Sequence, residues 1–476
     1  MDEFLAVYPD YATTSRLDQL RATEYAYIDA DGHVYLDYTG AGLAADAQLR
    51  EHVARLRAGY FGNPHSENPA SAASTVLIEK ARAAVLRYFH ASPDEYVAIF
   101  TPNATGACRL VGEAYQFAPW SRLVLTTDNH NSVHGLREFA GARHAPVRYI
   151  RLSTADLRSS DEDVSATLGR GHGSARRRGL FAYPAQSNFS GVQHPLAWVD
   201  LAQAAGYDVL LDAAAFVPSN RLDLGTVKPE FVTVSFYKMF GYPTGIGCLL
   251  ARRDALARLR RPWFSGGTVV SASAQGGWHR LAENESAFED GTLNFLAIPD
   301  LTTGLAWISG IGIDVIHRRV SYLTGWLLYR LAGLKHGDGA PMVRLYGPPN
   351  GEARGGTVAF NFLDARGAVV DERVVARDAS AAGISLRTGC FCNPGASEWA
   401  FGLTKRRLRE IGRDRSGGKI LDDFLDQMGM PNGGAIRVSL GLVSTIDDVE
   451  RFLAFAERAY CDTEPARDGL APRLHC

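Results

Sequence analysis

Apolar, β-branched runs of four or five residues recur through the middle of the chain: Tyr96–Phe100, Leu123–Thr127, Gly179–Tyr183, Asp208–Leu211 and Phe231–Val234. They are nearly continuous rather than alternating, so each predicts a strand covered on both faces. Stretches long enough for a helix separate most of them, the rhythm of a mainly parallel, doubly wound α/β sheet. A further short strand, Cys248–Leu250, follows a turn rich in Gly and Pro. Polar clusters fall just after the strand ends, which predicts one large site at the carboxyl edge of the sheet.

Upstream, Tyr25–Asp29 and Val34–Tyr38 predict a hairpin around Asp31-Gly32, followed by the small residues Thr39–Gly42, where backbone can approach a ligand closely. Helical patterns cover Ala45–Tyr60 and Ala72–Phe89, with the turn-rich Phe61–Ser66 between them. From Ile311 the pattern changes to a long helix through Leu331, then strands at Thr357–Phe362 and Ala435–Ser439, which predict a smaller C-terminal domain. The expected division is an N-terminal segment over 1–70, a large domain over 71–310, a small domain over 311–462 and a disordered tail over 463–476.

Composition narrows the classes. With 476 residues, 46% of them hydrophobic, the chain can bury a large core and is too long for one compact domain. A net charge of −2 with dispersed basic residues gives no electrostatic case for nucleic acid or an anionic membrane. The run Arg176–Arg178 lies among Gly and Ser and reads as a solvated loop. The acidic start Met1-Asp2-Glu3 is unlike a signal peptide and no apolar run approaches a membrane span, so a cytoplasmic enzyme is expected. Six dispersed cysteines do not make a disulfide framework and suit a reducing compartment.

Lysine is scarce, and Lys238 lies in an apolar stretch just past a strand end, in an expected tight loop. There a desolvated amine can form an imine, which arginine cannot; a surface lysine in a hairpin is the bland alternative. Asp212 ends the neighbouring apolar strand, and an aspartate beside an imine-forming lysine is the pairing pyridoxal phosphate needs. Taken alone, an aspartate after a strand more often caps a helix. Thr101–Ala107 leads from a strand into a helix whose first amides suit a phosphate, or form an ordinary N-cap. His130 and His134 have helical metal-pair spacing without a third ligand nearby, and His130 suits stacking on a flat ring instead.

The segments Phe181–Gly191, Leu210–Asn220, Ser235–Gly247 and Arg387–Gly395 resemble aminotransferase class V, the fold type I pyridoxal phosphate enzymes, and most closely the N-terminal desulfurase region of molybdenum cofactor sulfurases. The similarity runs from about Leu17 to about Phe455. It implies a mainly parallel sheet of the seven-stranded type and a smaller α+β C-terminal domain. Carried over, it makes Lys238 the imine-forming residue and later proton carrier, and Asp212 the partner of the pyridine nitrogen. His130 would stack on the ring and Asn188 would bond the phenolic oxygen. Ala104, Thr105, Ser235 and Tyr237 would hold the phosphate, with Tyr237 replacing a histidine common in cysteine desulfurases, and Ala215 standing where many relatives carry glutamine. Gly291 and Thr292 match the segment that reaches the phosphate of the opposite subunit, which implies a homodimer.

Arg437 matches the arginine for the substrate α-carboxylate, a task for a bidentate guanidinium, with Arg387 and Ala41 beside the substrate. As a bare residue in a strand, Arg437 equally fits a surface pair. Cys392 aligns with the desulfurase nucleophile, its thiolate aided by cations such as Arg387, whereas Cys390 reads as a buried structural cysteine. Ser397 stands where close relatives often carry another cysteine, and sulfur delivery to a molybdenum cofactor would need a separate acceptor protein. Three readings remain: a cysteine desulfurase forming a persulfide on Cys392; a pyridoxal phosphate lyase, decarboxylase or deaminase acting on larger S-conjugated amino acids; and a non-catalytic persulfide carrier, which the Lys238, Asp212, His130 and Arg437 set argues against.

Overall fold

The computed structural model describes residues 2–473 except 65, 154, 170–177, 414–420, 429, 431, 467 and 468. Its centre is a seven-stranded sheet: β1 (Tyr96–Thr101), β2 (Leu123–Thr126), β3 (Val147–Ile150), β4 (Gly179–Pro184), β5 (Tyr207–Asp212), β6 (Phe231–Ser235) and β7 (Gly247–Arg252), in the order β1-β7-β6-β5-β4-β2-β3. β7 alone among them runs against the rest. The linker from β6 to β7 is too short for a parallel crossover, so the chain turns back beside β6 and then pairs with β1.

Every residue of β1, β4 and β6 is buried, as their unbroken apolar runs predict. Successive side chains of β1 serve opposite cores: Tyr96, Ala98 and Phe100 join a cluster reaching Phe4, Leu17, Trp326 and Phe360, while Val97 and Ile99 join one containing Val111, Leu136 and Leu249. Each such large apolar side chain contributes about 2 kcal/mol relative to exposure. A second, antiparallel sheet follows: β8 (Val343–Tyr346), β9 (Thr357–Phe362), β10 (Arg387–Gly389) and β11 (Ala435–Ser439), in the order β8-β9-β11-β10. The predicted long helix is present as Ile313–Gly333.

Several expectations fail. The segment 25–38 is no hairpin: Ala26–Ala30 is a short helix closed by Gly32 at φ +60°, and Val34–Tyr35 pairs in parallel with Ile384–Ser385. The distant strand edge offers Val34 a carbonyl, that of Gly383 at 2.9 Å, which outcompetes the local turn. Lys238 lies just past the strand end as expected, but in a single helical turn, Phe236–Phe240, ended by Gly241 at φ +76°, rather than in a tight loop. Arg176 and Arg177 lie outside the described residues, but Arg178 pairs with buried Asp208. The tail is anchored at Arg473, whose guanidinium meets Asp371, Glu372 and Asp422. Among the described residues no helix is long and apolar enough to cross a membrane.

Candidate active site

A cavity of about 290 Å³ opens at the carboxyl edge of the large sheet. Such a volume lies near the lower end of the range for small-molecule sites, about 300–1,000 Å³. Asp212 enters it from the end of β5, Ser235, Tyr237 and Lys238 from the end of β6 and the turn after it. His130 and Asn188 enter from the loops after β2 and β4, and Ala104 and Thr105 from the start of helix Ala104–Ala114.

That helix begins at Asn103, whose side chain accepts from the Gly106 amide at 2.9 Å. Ser235 Oγ accepts from the Ala104 amide at 3.2 Å, and Thr105 and Ser132 hydroxyls meet at 2.7 Å. Gly247 makes the seat possible, because a Cβ there would overlap the Asn103 backbone. The result is a helix N-terminus with hydroxyls around it, opening into the cavity, which suits an anion.

Lys238 is half-buried. Desolvation holds its amine below the ordinary lysine pKa, and the Asp212 carboxylate opposes that shift. Asp212 Oδ1 is fixed by the Thr233 hydroxyl and the Ala214 amide, both at 3.1 Å. Burial also lowers the His130 pKa, against Asp212. The Ser132 amide donates to His130 Nδ1 at 3.1 Å, which puts the proton of the neutral ring on Nε2. His134 is buried and packs toward Tyr149, away from this cavity.

Arg387 and Arg437 lie directly opposite each other on β10 and β11, a like-charge pairing that needs an anion. Asp37 supplies it, accepting from Arg437 Nη2 at 2.8 Å and Arg387 Nη2 at 2.6 Å. Arg437 also donates from Nη1 to the Asn188 carbonyl at 3.1 Å, while its Nε is buried without a partner. The expected open fork is therefore already engaged, and the cation expected to aid the Cys392 thiolate is bound to Asp37. Asp37 went unread in the sequence, although it ends an apolar run before small residues just as Asp212 does.

Cys392 is exposed and does not line the cavity, yet its loop is tied to it. The Asn131 amide donates to the Cys392 carbonyl at 2.7 Å, and Asn188 Nδ2 to the Phe391 carbonyl at 2.8 Å. Phe391 and Cys392 both adopt positive φ, 57° and 53°. Cys390, expected as a buried structural cysteine, is half-buried and disulfide-bonded. Ala41 also lies off the cavity, its carbonyl accepting from the Tyr35 hydroxyl at 3.0 Å. Thr292 lines a neighbouring cavity of about 510 Å³ that shares Pro102 and Gly245 with the first, and next to it the Gly291 amide donates to the Gly266 carbonyl.

The same architecture occurs in solved structures. A cysteine desulfurase from Thermococcus onnurineus superposes with a TM-score of 0.74 at 22% identity, covering 93% of this chain and 97% of that one. The Escherichia coli cysteine desulfurase CsdA gives 0.71 at 22% identity, covering 93% and 98%. In sequence, the molybdenum cofactor sulfurase of Solanum lycopersicum is 35% identical over 99% of this chain and 61% of its own length, and that of Homo sapiens 35% over 92% and 51%. The chain thus spans little more than half the length of these relatives. The aminotransferase class-V profile matches residues 34–452, from the strand before Asp37 to beyond Arg437, so the chain belongs to the class-V aminotransferase family.

Proposed function

We propose that the protein is a pyridoxal phosphate-dependent cysteine desulfurase that takes sulfur from L-cysteine, or a cysteine-derived amino acid, onto Cys392. The observation that carries this reading is the convergence in one cavity of a desolvated lysine, a facing aspartate and a helix N-terminus ringed by hydroxyls. Those groups fit the cofactor: Lys238 for its aldehyde, Asp212 for its pyridine nitrogen, His130 for its ring, Asn188 for its phenolic oxygen, and Thr105, Ser235 and Tyr237 for its phosphate. When bound, the cofactor supplies an electron sink for the substrate carbons.

The chain's own residues do the rest. Lys238, with its lowered pKa, takes and returns protons at the substrate carbons. Two arginines sharing Asp37 leave one uncompensated positive charge, which the substrate carboxylate balances. The Cys392 thiolate attacks the substrate sulfur: an S–S bond forms, the C–S bond breaks, and its electron pair stays on carbon and is protonated. L-cysteine and the Cys392 thiol thus become L-alanine and a Cys392 persulfide, with no external redox partner. The persulfide then passes to an acceptor protein.

We place the reaction in the cytoplasm, in a homodimer whose partner approaches the cavity beside Thr292, with 71–310 binding the cofactor and 1–70 packing on a small domain over 311–462. The exposure of Cys392 outside the cavity favours one second reading, a lyase acting on larger S-conjugated amino acids. Incubation of the cofactor-loaded protein with L-cysteine and an excess of a dithiol, which reduces the persulfide and releases its outer sulfur as sulfide, separates them. Stoichiometric alanine and sulfide, both abolished in Cys392→Ser, is the expected result. Turnover of an S-conjugate that survives Cys392→Ser, with none of L-cysteine, would overturn the proposal in favour of the lyase.

A further inference from the structure

Phe391, Cys392 and Asn393 are each held by a residue of the cavity or by the neighbour of one. Asn188 Nδ2 donates to the Phe391 carbonyl at 2.8 Å, the Asn131 amide beside His130 donates to the Cys392 carbonyl at 2.7 Å, and the Arg437 guanidinium lies over the Phe391 ring, 4.8 Å from its centroid. Asn393 is fully buried. Its Nδ2 donates to Asn188 Oδ1 at 2.9 Å and to the Asp128 carbonyl at 2.6 Å, while its Oδ1 accepts from the Ala396 amide at 3.1 Å and caps helix Pro394–Ala400.

The chemistry of a primary amide makes this arrangement a link. Asn188 has two N–H donors and one carbonyl acceptor. Its acceptor is taken by Asn393 and one donor by Phe391, which leaves the second N–H for a ligand in the cavity. Turning the Asn188 amide over would set its NH₂ against the Asn393 NH₂ and its oxygen against the Phe391 carbonyl, so Asn393 fixes which face Asn188 presents. We infer that Asn393 is a positioning residue that couples ligand binding in the cavity to the placement of Cys392, through Asn188. The inference rests on the desulfurase reading for its consequence in turnover, and on the hydrogen bonds alone for its consequence at the thiol. On this view the nucleophile's loop reports the state of the cavity.

Asn393→Asp tests this: it keeps shape and cap, since aspartate caps as well as asparagine, and replaces the donating NH₂ with an ionised oxygen that can only accept and that sets a charge against the Asn188 and Asp128 oxygens. The readout is alkylation of Cys392 by iodoacetamide in cofactor-loaded protein, measured on its own peptide by mass spectrometry, with and without L-alanine, which carries the amino-acid head but no sulfur. In the parent protein L-alanine should change the alkylation rate. In Asn393→Asp that response should vanish and alanine formation from L-cysteine should fall roughly tenfold, the scale of one lost buried hydrogen bond, with the KM for cysteine within about twofold. Retention of both the response and the rate would overturn the inference. If Asn393→Asp does not fold, Asn393→Ser, which also caps, is measured in its place against the same outcomes. If the parent protein makes no alanine, the desulfurase reading fails. The alkylation rates without substrate then still decide the link: at least a severalfold difference between parent and Asn393→Asp supports it, and equal rates overturn it.

Discussion

Asp37 compensates two arginines that the register of β10 and β11 sets face to face. Removing the carboxylate leaves Arg437 buried beside a like charge, so Asp37→Ala should lose about 3 kcal/mol of stability, read as a drop in Tm. An unchanged Tm would contradict the assignment. Lys238 makes a second prediction. Burial disfavours its protonated form, so the neutral amine that adds to an aldehyde exists at lower pH than in free lysine. Capture of pyridoxal phosphate by the apo protein should therefore titrate with a midpoint below about 10.4, and a midpoint at or above that value would refute it. His134 gives a third. Burial and the neighbouring Arg137 lower its pKa to about 4. A group with a depressed histidine pKa binds its proton better when unfolded, so stability falls as pH drops from about 6.5 toward 4, by about 3 kcal/mol in all. His134→Phe should flatten that part of the stability profile in denaturant titrations. Lys238 and Asp212 were legible because each stands out against its own apolar run. Asp37 and Asn393 were not, because Asp37 meets Arg437 across 400 residues and Asn393 meets Asn188 across 205, distances no local pattern encodes.

The strands that are buried on both faces were legible as continuous apolar runs, and six of the seven fell within a few residues of their observed bounds. β3 escaped because it is an edge strand, with Arg148 and Tyr149 facing solvent, and so lacks that signature. The misread hairpin at 25–38 shows the opposite error, in which a sound local turn was taken for a strand connection. Between elements, close approach is the sensitive feature. Gly247→Ala would push β7 away from Asn103 and open the seat at the start of helix Ala104–Ala114. Cofactor retention after gel filtration should fall sharply in that variant, whereas a control, Gly310→Ala, has open space around its Cβ and should retain it.

At the scale of the whole molecule, the tail is part of the structure. Arg473 joins Asp371 and Glu372, at the start of helix Glu372–Ala381, to Asp422, with all but Asp422 nearly buried. Against desolvation, hydrogen bonds from Arg373 and the charge of Arg473 hold the Asp371 pKa down at about 2. That contribution is complete above the unfolded value near 4 and is lost as pH falls toward about 2. Truncation after residue 466 should lower the Tm and remove part of the acid sensitivity, seen by comparing melts at pH 3 and pH 6. The segment Thr39–Gly42 matters as much. Gly42 donates its amide to the carbonyl of Tyr237, and Thr39 donates its own to the Ser439 hydroxyl. One short thread thus stitches the lysine's turn to the far sheet. Cutting the backbone between Gly40 and Ala41 would leave both sheets intact and separate the Thr39 contact from the Gly42 contact, so a protease that cuts there should abolish the proposed activity before it unfolds the chain.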